Sequence, residues 1–239
     1  MPAEPVGHLI SSFTCHATRI APHPSGAPLG FPGPLRAGVP YSLAMNAPAL
    51  QVGVLLAPRP EELGEWLADA RAFEAAGAAA LWVDPDPESG LDPFVLLAAL
   101  AALTSEALLV APPPVAGDRP VAALAATLAT VARLSHGRLA LAADADRLGE
   151  LTALLPGCDA FRRLPGTPPA FERRRGEGDA ERWVQTAPAE SRAAWRLALA
   201  EAAERGAGGV LVPAGPRLLD LLRNPDDPGD RRDLYLAQG

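Results

Sequence analysis

The chain has no lysine. All 21 of its basic residues are arginine, which excludes a Schiff-base lysine and the lysine of a P-loop. Cysteine is almost absent as well. Cys15 and Cys158 lie far apart without CxxC spacing, so neither a disulfide framework nor a zinc site is expected, and the usage fits a reducing cytoplasm. Aromatic residues make up only 5% of the chain. Histidine is scarce, and three of the four (His8, His16, His23) fall in the first 48 residues. Together with Cys15 they match no standard metal-site spacing. Net charge is −7 with no dominant basic stripe, which excludes a general nucleic-acid binder. Long hydrophobic runs are missing too. The longest, Pro93 to Leu103, is too short to span a bilayer and suits a buried helix. The N-terminus has no charged region followed by a sustained apolar core, so a signal peptide is not expected.

What is present is alanine, leucine and proline. The chain has 239 residues, enough for one large domain with a sizeable core. Its 27 prolines are about twice the usual share of roughly 5%. Nine of them fall in residues 1–48, where no apolar period persists, so this segment reads as a disordered extension. Met45 lies just before the first strand and is an alternative translation start. Residues 49–224 form the ordered domain, and 225–239 read as an irregular polar tail.

Within the domain, strands and helices alternate. LQVGVLL (Leu50–Leu56) is a first buried strand. Glu61 to Ala76 is an amphipathic helix with Leu63, Trp66, Leu67, Ala70 and Phe73 on one face, and Gly77 ends it. Ala80 to Val83 is a second strand. Asp92 and Pro93 supply the cap and first residue of a helix running to about Thr104. Ala107 to Val110 is a third strand. The next helix follows Pro120, with Val121, Leu124, Leu128 and Val131 at helical spacing and Gly137 as its stop. A fourth strand spans about Arg138 to Ala142. Asp144 to Leu155 is a short helix, and the Gly-, Pro- and Arg-rich stretch from Pro156 to Asp179 reads as a long loop. Arg182–Gln185 and Val210–Val212 are strands. Ser191–Arg205 is a helix striped by Trp195, Leu199 and Ala202, and Pro216–Arg223 is the last helix. Continuous apolar strands alternating with helices mean a parallel sheet covered by helices. The α/β pattern is that of a TIM-barrel-like (β/α) fold. Only about six units fit, against roughly 200–250 residues for a full barrel of eight, so a shortened barrel or one open on one side is expected.

Three segments carry a family resemblance: FEAAGAAALWVD (Phe73–Asp84), DPFVLLAALAALT (Asp92–Thr104) and LATVARLSHGRL, ending at Leu139. With the opening strand they resemble, in order from Val52 to Leu141, the luciferase-like monooxygenase family, the flavin- and deazaflavin-dependent (β/α) barrel enzymes. A looser echo runs from Gly206 to Leu222. The resemblance implies reduced flavin mononucleotide (FMN) or a deazaflavin in the barrel mouth. It implies oxygen insertion or hydride transfer on a small organic substrate, with a separate flavin reductase as a possible partner. Two departures stand out. Many members have a G-x-G-x-G turn where this chain reads AlaAlaAspAlaAsp at 142–146, and bulkier acidic residues there disfavour a phosphate. The usual long insert and later strands of the second half are also missing. The alternative reading is therefore a non-catalytic shortened barrel that binds a ligand or serves an assembly.

Function in such barrels sits at the C-terminal strand ends and stability at the N-terminal ends. That rule makes Asp84, Ala111, Pro112, Ala143 and Asp144 the candidate cofactor-binding residues, with Asp86 beside them. Asp144 is equally a helix cap. Arg138 and His136 fall at the opposite end, where Arg138 suits an ion pair or carbonyl contact and His136 an exposed helix end. Trp82 and Trp195 read as core. The arginine cluster Arg162, Arg163, Arg173, Arg174 and Arg175 reads first as a solvated loop and second as a phosphate site. No catalytic triad, carboxylate pair or metal motif assembles, so the catalytic residues stay unassigned. Open sheet edges on a shortened barrel are usually covered, which points to a homodimer through the apolar helix Pro93–Leu103, with Leu97 and Leu100 as contact positions. Because residues 1–44 have no apolar period with which to dock, a chain beginning at Met45 is expected to melt like the full chain. A fall of several degrees in Tm on truncation would show that the segment packs.

Overall fold

A computed structural model describes residues 50–84, 87–112, 120–174 and 180–225. The 1–48 extension and nearly all of the 225–239 tail lie outside these residues, as do Asp86 and Arg175. Eight strands are described: β1 (Gln51–Leu56), β2 (Ala80–Val83), β3 (Leu108–Ala111), β4 (Leu139–Ala143), β5 (Asp159–Leu164), β6 (Ala170–Arg174), β7 (Glu181–Gln185) and β8 (Ala207–Pro213). Each pairs with the next, and β8 pairs with β1, so the ring closes. Among the described residues six α-helices pack outside it: α1 (Leu63–Ala75), α2 (Pro93–Leu103), α3 (Val121–Leu134), α4 (Ala145–Leu154), α5 (Arg192–Glu204) and α6 (Pro216–Arg223).

The barrel is shortened but not open. Seven strands share one direction, and β6 runs antiparallel to both neighbours. β5, β6 and β7 follow one another with no helix between them among the described residues. A strand meander thus replaces helical crossovers, and this is how a short chain completes the circle. The stretch 156–179 is therefore not one long loop. It holds β5 and β6, whose outward faces are tied by Arg162 to Glu172 at 3.0 Å and Arg174 to Glu172 at 2.8 Å. Those two guanidinium groups hold the Glu172 carboxyl below its ordinary value, through hydrogen bonds first and charge second.

The helical starts follow their caps. Asp92 accepts a hydrogen bond from the Phe94 N–H at 2.9 Å, Asp144 from the Arg147 N–H at 3.0 Å, and Ser191 from the Ala194 N–H at 3.1 Å. α1 buries Trp66, Ala70 and Phe73, α3 buries Leu124, Leu128 and Val131, and α5 buries Trp195 and Ala202 against the outside of the barrel. Leu97 and Leu100 of α2 are fully buried within the same shell. They are not free to contact a second chain. The apolar positions that α2 does expose are Val95 (63%) and Leu103 (40%). With the ring closed, the open sheet edge that motivated the homodimer is absent.

The N-terminal base of the barrel is held by polar groups. Glu74 of α1 accepts backbone N–H bonds from Ser105, Glu106 and Ala107 at 2.8–2.9 Å. Arg138 donates to the carbonyls of Thr104 and Ala107, each at 2.7 Å, as expected for a carbonyl contact. Burial draws its guanidinium below the usual value, and the charge of Glu74 partly restores it. Inside the base, Arg173 is only 6% exposed. It donates to Asp159 at 2.7 Å and to Gln51 at 3.2 Å, lies 3.6 Å from Glu181, and covers the Phe161 ring at 5.5 Å. The reading of the arginine cluster as a solvated loop fails at this residue.

Above Arg173 the barrel is filled. Ala80, Trp82, Val110, Ala140, Ala142, Phe161, Trp183 and Leu211 form a separate inner cluster. The Phe161 ring meets Trp82 at 4.7 Å and Trp183 at 5.5 Å, edge on. Small residues make room for these rings. A Cβ on Gly53 would stand 2.8 Å from the Trp183 ring, and one on Gly209 would overlap the indole itself. Gly209→Ala should therefore destabilise the fold by about 1–3 kcal/mol through overpacking, measured by urea unfolding. An unchanged midpoint would show that the indole does not lie against β8.

Candidate functional site

Above the filled interior, the C-terminal ends of the strands leave open space. A cavity of about 250 Å³ opens there. Its walls are apolar: Leu55 of β1, Trp82 of β2, Phe171 of β6 and Leu211 of β8. Pro112 and Pro169 border it, and Phe171 meets Trp82 with ring centroids 4.8 Å apart. Asp84, Asp144, Arg163 and Gln185 supply its polar groups, each at or just beyond the end of a different strand. Flat hydrophobic walls with a few polar groups are the usual make-up of a small-molecule site.

Four of the five candidate residues, Asp84, Pro112, Ala143 and Asp144, line this cavity. Ala111 does not. Strand alternation turns it outward, where it is buried against the helical shell. Asp144 caps α4. Asp84 is half-buried and is engaged in an interaction of its own. His136 is exposed at the other end of the barrel, with a positive φ of 52° at the end of α3. Trp195 lies in the outer shell, whereas Trp82 is both core and cavity wall.

Sequence reading missed Leu55, Phe171, Gln185 and Leu211, and it named Arg163 only within the arginine cluster, where a phosphate site was the second reading. Leu55, Gln185 and Leu211 lie in segments already read as strands, and period-two alternation from Trp82 and Asp84 would have pointed to that inward face. Phe171 stayed hidden, and Arg163 could not be told from its neighbours, because β5 and β6 were read as loop. On β5 the inward residues are Phe161 and Arg163, and on β6 they are Phe171 and Arg173. Arg163 and Phe171 are register partners across the hairpin.

Cys158 is no nucleophile at this site. It lies at the base, where its thiol donates to the Leu139 carbonyl at 2.9 Å. Burial, and secondarily the charge of Asp159, pushes its pKa up to about 12, so the thiolate is suppressed. Among the described residues no group of three His, Cys, Asp or Glu is placed to hold a metal. No described helix is long and apolar enough to cross a membrane.

No protein-family model matches the chain, and no curated protein does. Solved structures of similar shape include tryptophan synthase from M. tuberculosis, at 14% identity and TM-score 0.43, covering 74% of this chain and 90% of that one. They also include the oxygenating constituent of 3,6-diketocamphane monooxygenase from Pseudomonas putida in complex with FMN, at 14% identity and TM-score 0.39. That match covers 74% of this chain and 62% of the monooxygenase. Monooxygenase RslO1 from Streptomyces bottropensis aligns at 21% identity and TM-score 0.34, covering 74% of this chain and 65% of its own. Likenesses at this level bear on neither ligand nor activity. The TIM-barrel class rests on the chain's own eight-stranded closed topology.

A raised thiol pKa has a direct consequence. The folded state favours the neutral thiol, so its contribution to stability is present below the unfolded value and is lost as pH rises toward 12. At pH 8 maleimide should leave Cys158 unmodified in the native chain and label it in urea, read by peptide mass mapping. Rapid native labelling at Cys158 would contradict its burial.

Proposed function

We propose that this chain is a luciferase-like barrel oxidoreductase that takes a flavin ring in the mouth cavity and acts on a small organic substrate. The observation that carries this reading is the cavity itself, placed where the sequence resemblance requires a cofactor and walled by Trp82, Phe171, Leu55 and Leu211. Flat apolar walls fit a conjugated ring, and Gln185 offers an amide to its polar edge. The volume of about 250 Å³ lies below the roughly 300–1,000 Å³ of pockets that enclose a drug-sized ligand. Trp82, Phe171, Leu55 and Leu211 would hold the ring alone, and Arg163 at the rim would face the phosphate-bearing tail. A bound reduced flavin supplies the electrons for oxygen insertion or hydride transfer. The chain's own residues would bind and orient it, and the filled interior below would keep water from the floor of the cavity.

A second reading keeps the ligand and drops the chemistry. It is favoured by what the titratable groups already do: Asp144 caps a helix, the Cys158 thiol is suppressed at the base, and His136 lies at the far end. A ligand-binding paralogue needs none of them. A separate flavin reductase belongs to the first reading only, whereas a cytoplasmic location, argued from the cysteine usage, goes with either.

Titration with FMN and with a deazaflavin, each oxidised and reduced, should give saturable binding of at least one. Leu55→Trp, which fills the mouth, should abolish that binding while the far-ultraviolet spectrum is kept. If none of the four forms binds, the flavin reading is wrong. Binding without substrate-dependent oxidation of the reduced form would favour the non-catalytic paralogue.

A further inference from the structure

The β5–β6 hairpin carries four described arginines, and three are engaged. Arg162 and Arg174 hold Glu172 on the outer face. Arg173 is buried at the base with Asp159, Glu181 and Gln51. The Arg163 side chain makes no hydrogen bond or ion pair among the described residues. It lines the mouth cavity and faces Phe171 across the hairpin. A guanidinium is a fork of donors matched to the planar oxygens of a carboxylate or phosphate.

The carboxylates on the same rim do not cancel it. Asp144 accepts the Arg147 N–H at 3.0 Å and sits at the partly positive N-terminus of α4, which offsets its charge. Asp84 is already engaged in an interaction of its own. Arg163 is the cationic rim group whose bonding capacity is left over, and it stands beside an aromatic wall.

We infer that Arg163 is the oxyanion-recognition residue of the mouth, so that the ligand is a flat ring carrying a phosphate or a carboxylate. This deepens the ligand-site reading and adds a specificity-determining residue to it. The ring lies against Trp82 and Phe171, and the anion reaches the guanidinium at the rim.

The test compares two anionic probes with their neutral counterparts, FMN with riboflavin and benzoate with benzamide, by calorimetry on the full-length chain. Wild type, Arg163→Gln and Arg162→Gln are measured. Wild type should bind the anionic member of at least one pair on the order of tenfold tighter, as expected for one charge-assisted contact. Arg163→Gln should abolish that preference, and Arg162→Gln should keep it. A preference confined to FMN identifies the phosphate, and one confined to benzoate identifies a carboxylate. Equal affinities within both pairs, or a preference that survives Arg163→Gln, would overturn the inference. A benzoate preference with no binding of either flavin would sink the flavin reading while leaving Arg163 in its role. If no probe binds, both readings fall.

Discussion

Two indoles fit inside this barrel because two of its walls carry no side chain. An eight-stranded ring leaves an interior just wide enough for its own residues to fill. Here Trp82, Phe161 and Trp183 fill it, and Gly53, Gly209, Ala80, Ala140 and Ala142 recede to admit them. The rest follows from that exchange of large for small. The aromatic layer fills the interior, so a ligand in the mouth cavity would rest on top of it. The floor of the mouth cavity is then the upper surface of the core itself, and Trp82 belongs to both. The Nε1–H groups of Trp82 and Trp183 have no hydrogen-bond partner in this packing. An unmatched buried donor typically costs about 1–3 kcal/mol, which the buried ring area must offset.

The antiparallel strand is the second determinant. Because β6 runs against its neighbours, its first residues reach the mouth and its last reach the base. One strand of five residues thus puts Phe171 on the cavity wall and Arg173 in the ion-paired plug beneath the core. In a regular barrel those two jobs fall to different ends of parallel strands, and the neighbouring crossovers bring helices. Here the meander supplies wall, plug and closure together. It also leaves Arg163 facing the cavity, where an outward turn would have paired it with Glu172 as Arg162 is.

Most of the fold was legible because the first half of the sequence obeys local rules. Asp92 with Pro93, the Leu124–Leu128–Val131 stripe and Gly137 each mark an element end or a buried face, and each does so in the structure. The helix Pro216–Arg223 coincides with α6. Closure was not legible. β5 reads Asp-Ala-Phe-Arg-Arg-Leu, and its inward face mixes an acid, a ring and a guanidinium, so no apolar alternation marks it. Its stability comes from partners distant in sequence, such as Glu172 for Arg162 and Gln51 for Arg173. For the same reason the site was half legible. The strand-end rule found Asp84, Pro112, Ala143 and Asp144, but the side of the mouth built by the hairpin could not be seen before the hairpin itself. Ala111 was misplaced by a single residue of register, which in a strand is a change of face.

The account depends most on the pairing of β6 inside the ring, since that strand closes the barrel, seats the plug and walls the cavity. Native-state hydrogen exchange tests it directly. The amides of Phe171 and Arg173 should exchange as slowly as those of Val54 and Leu81 in β1 and β2, because all are ladder residues of one cooperative unit. Exchange of the 170–174 amides at the rate of an open loop, with β1 and β2 still protected, would contradict the closed barrel and the site built on it.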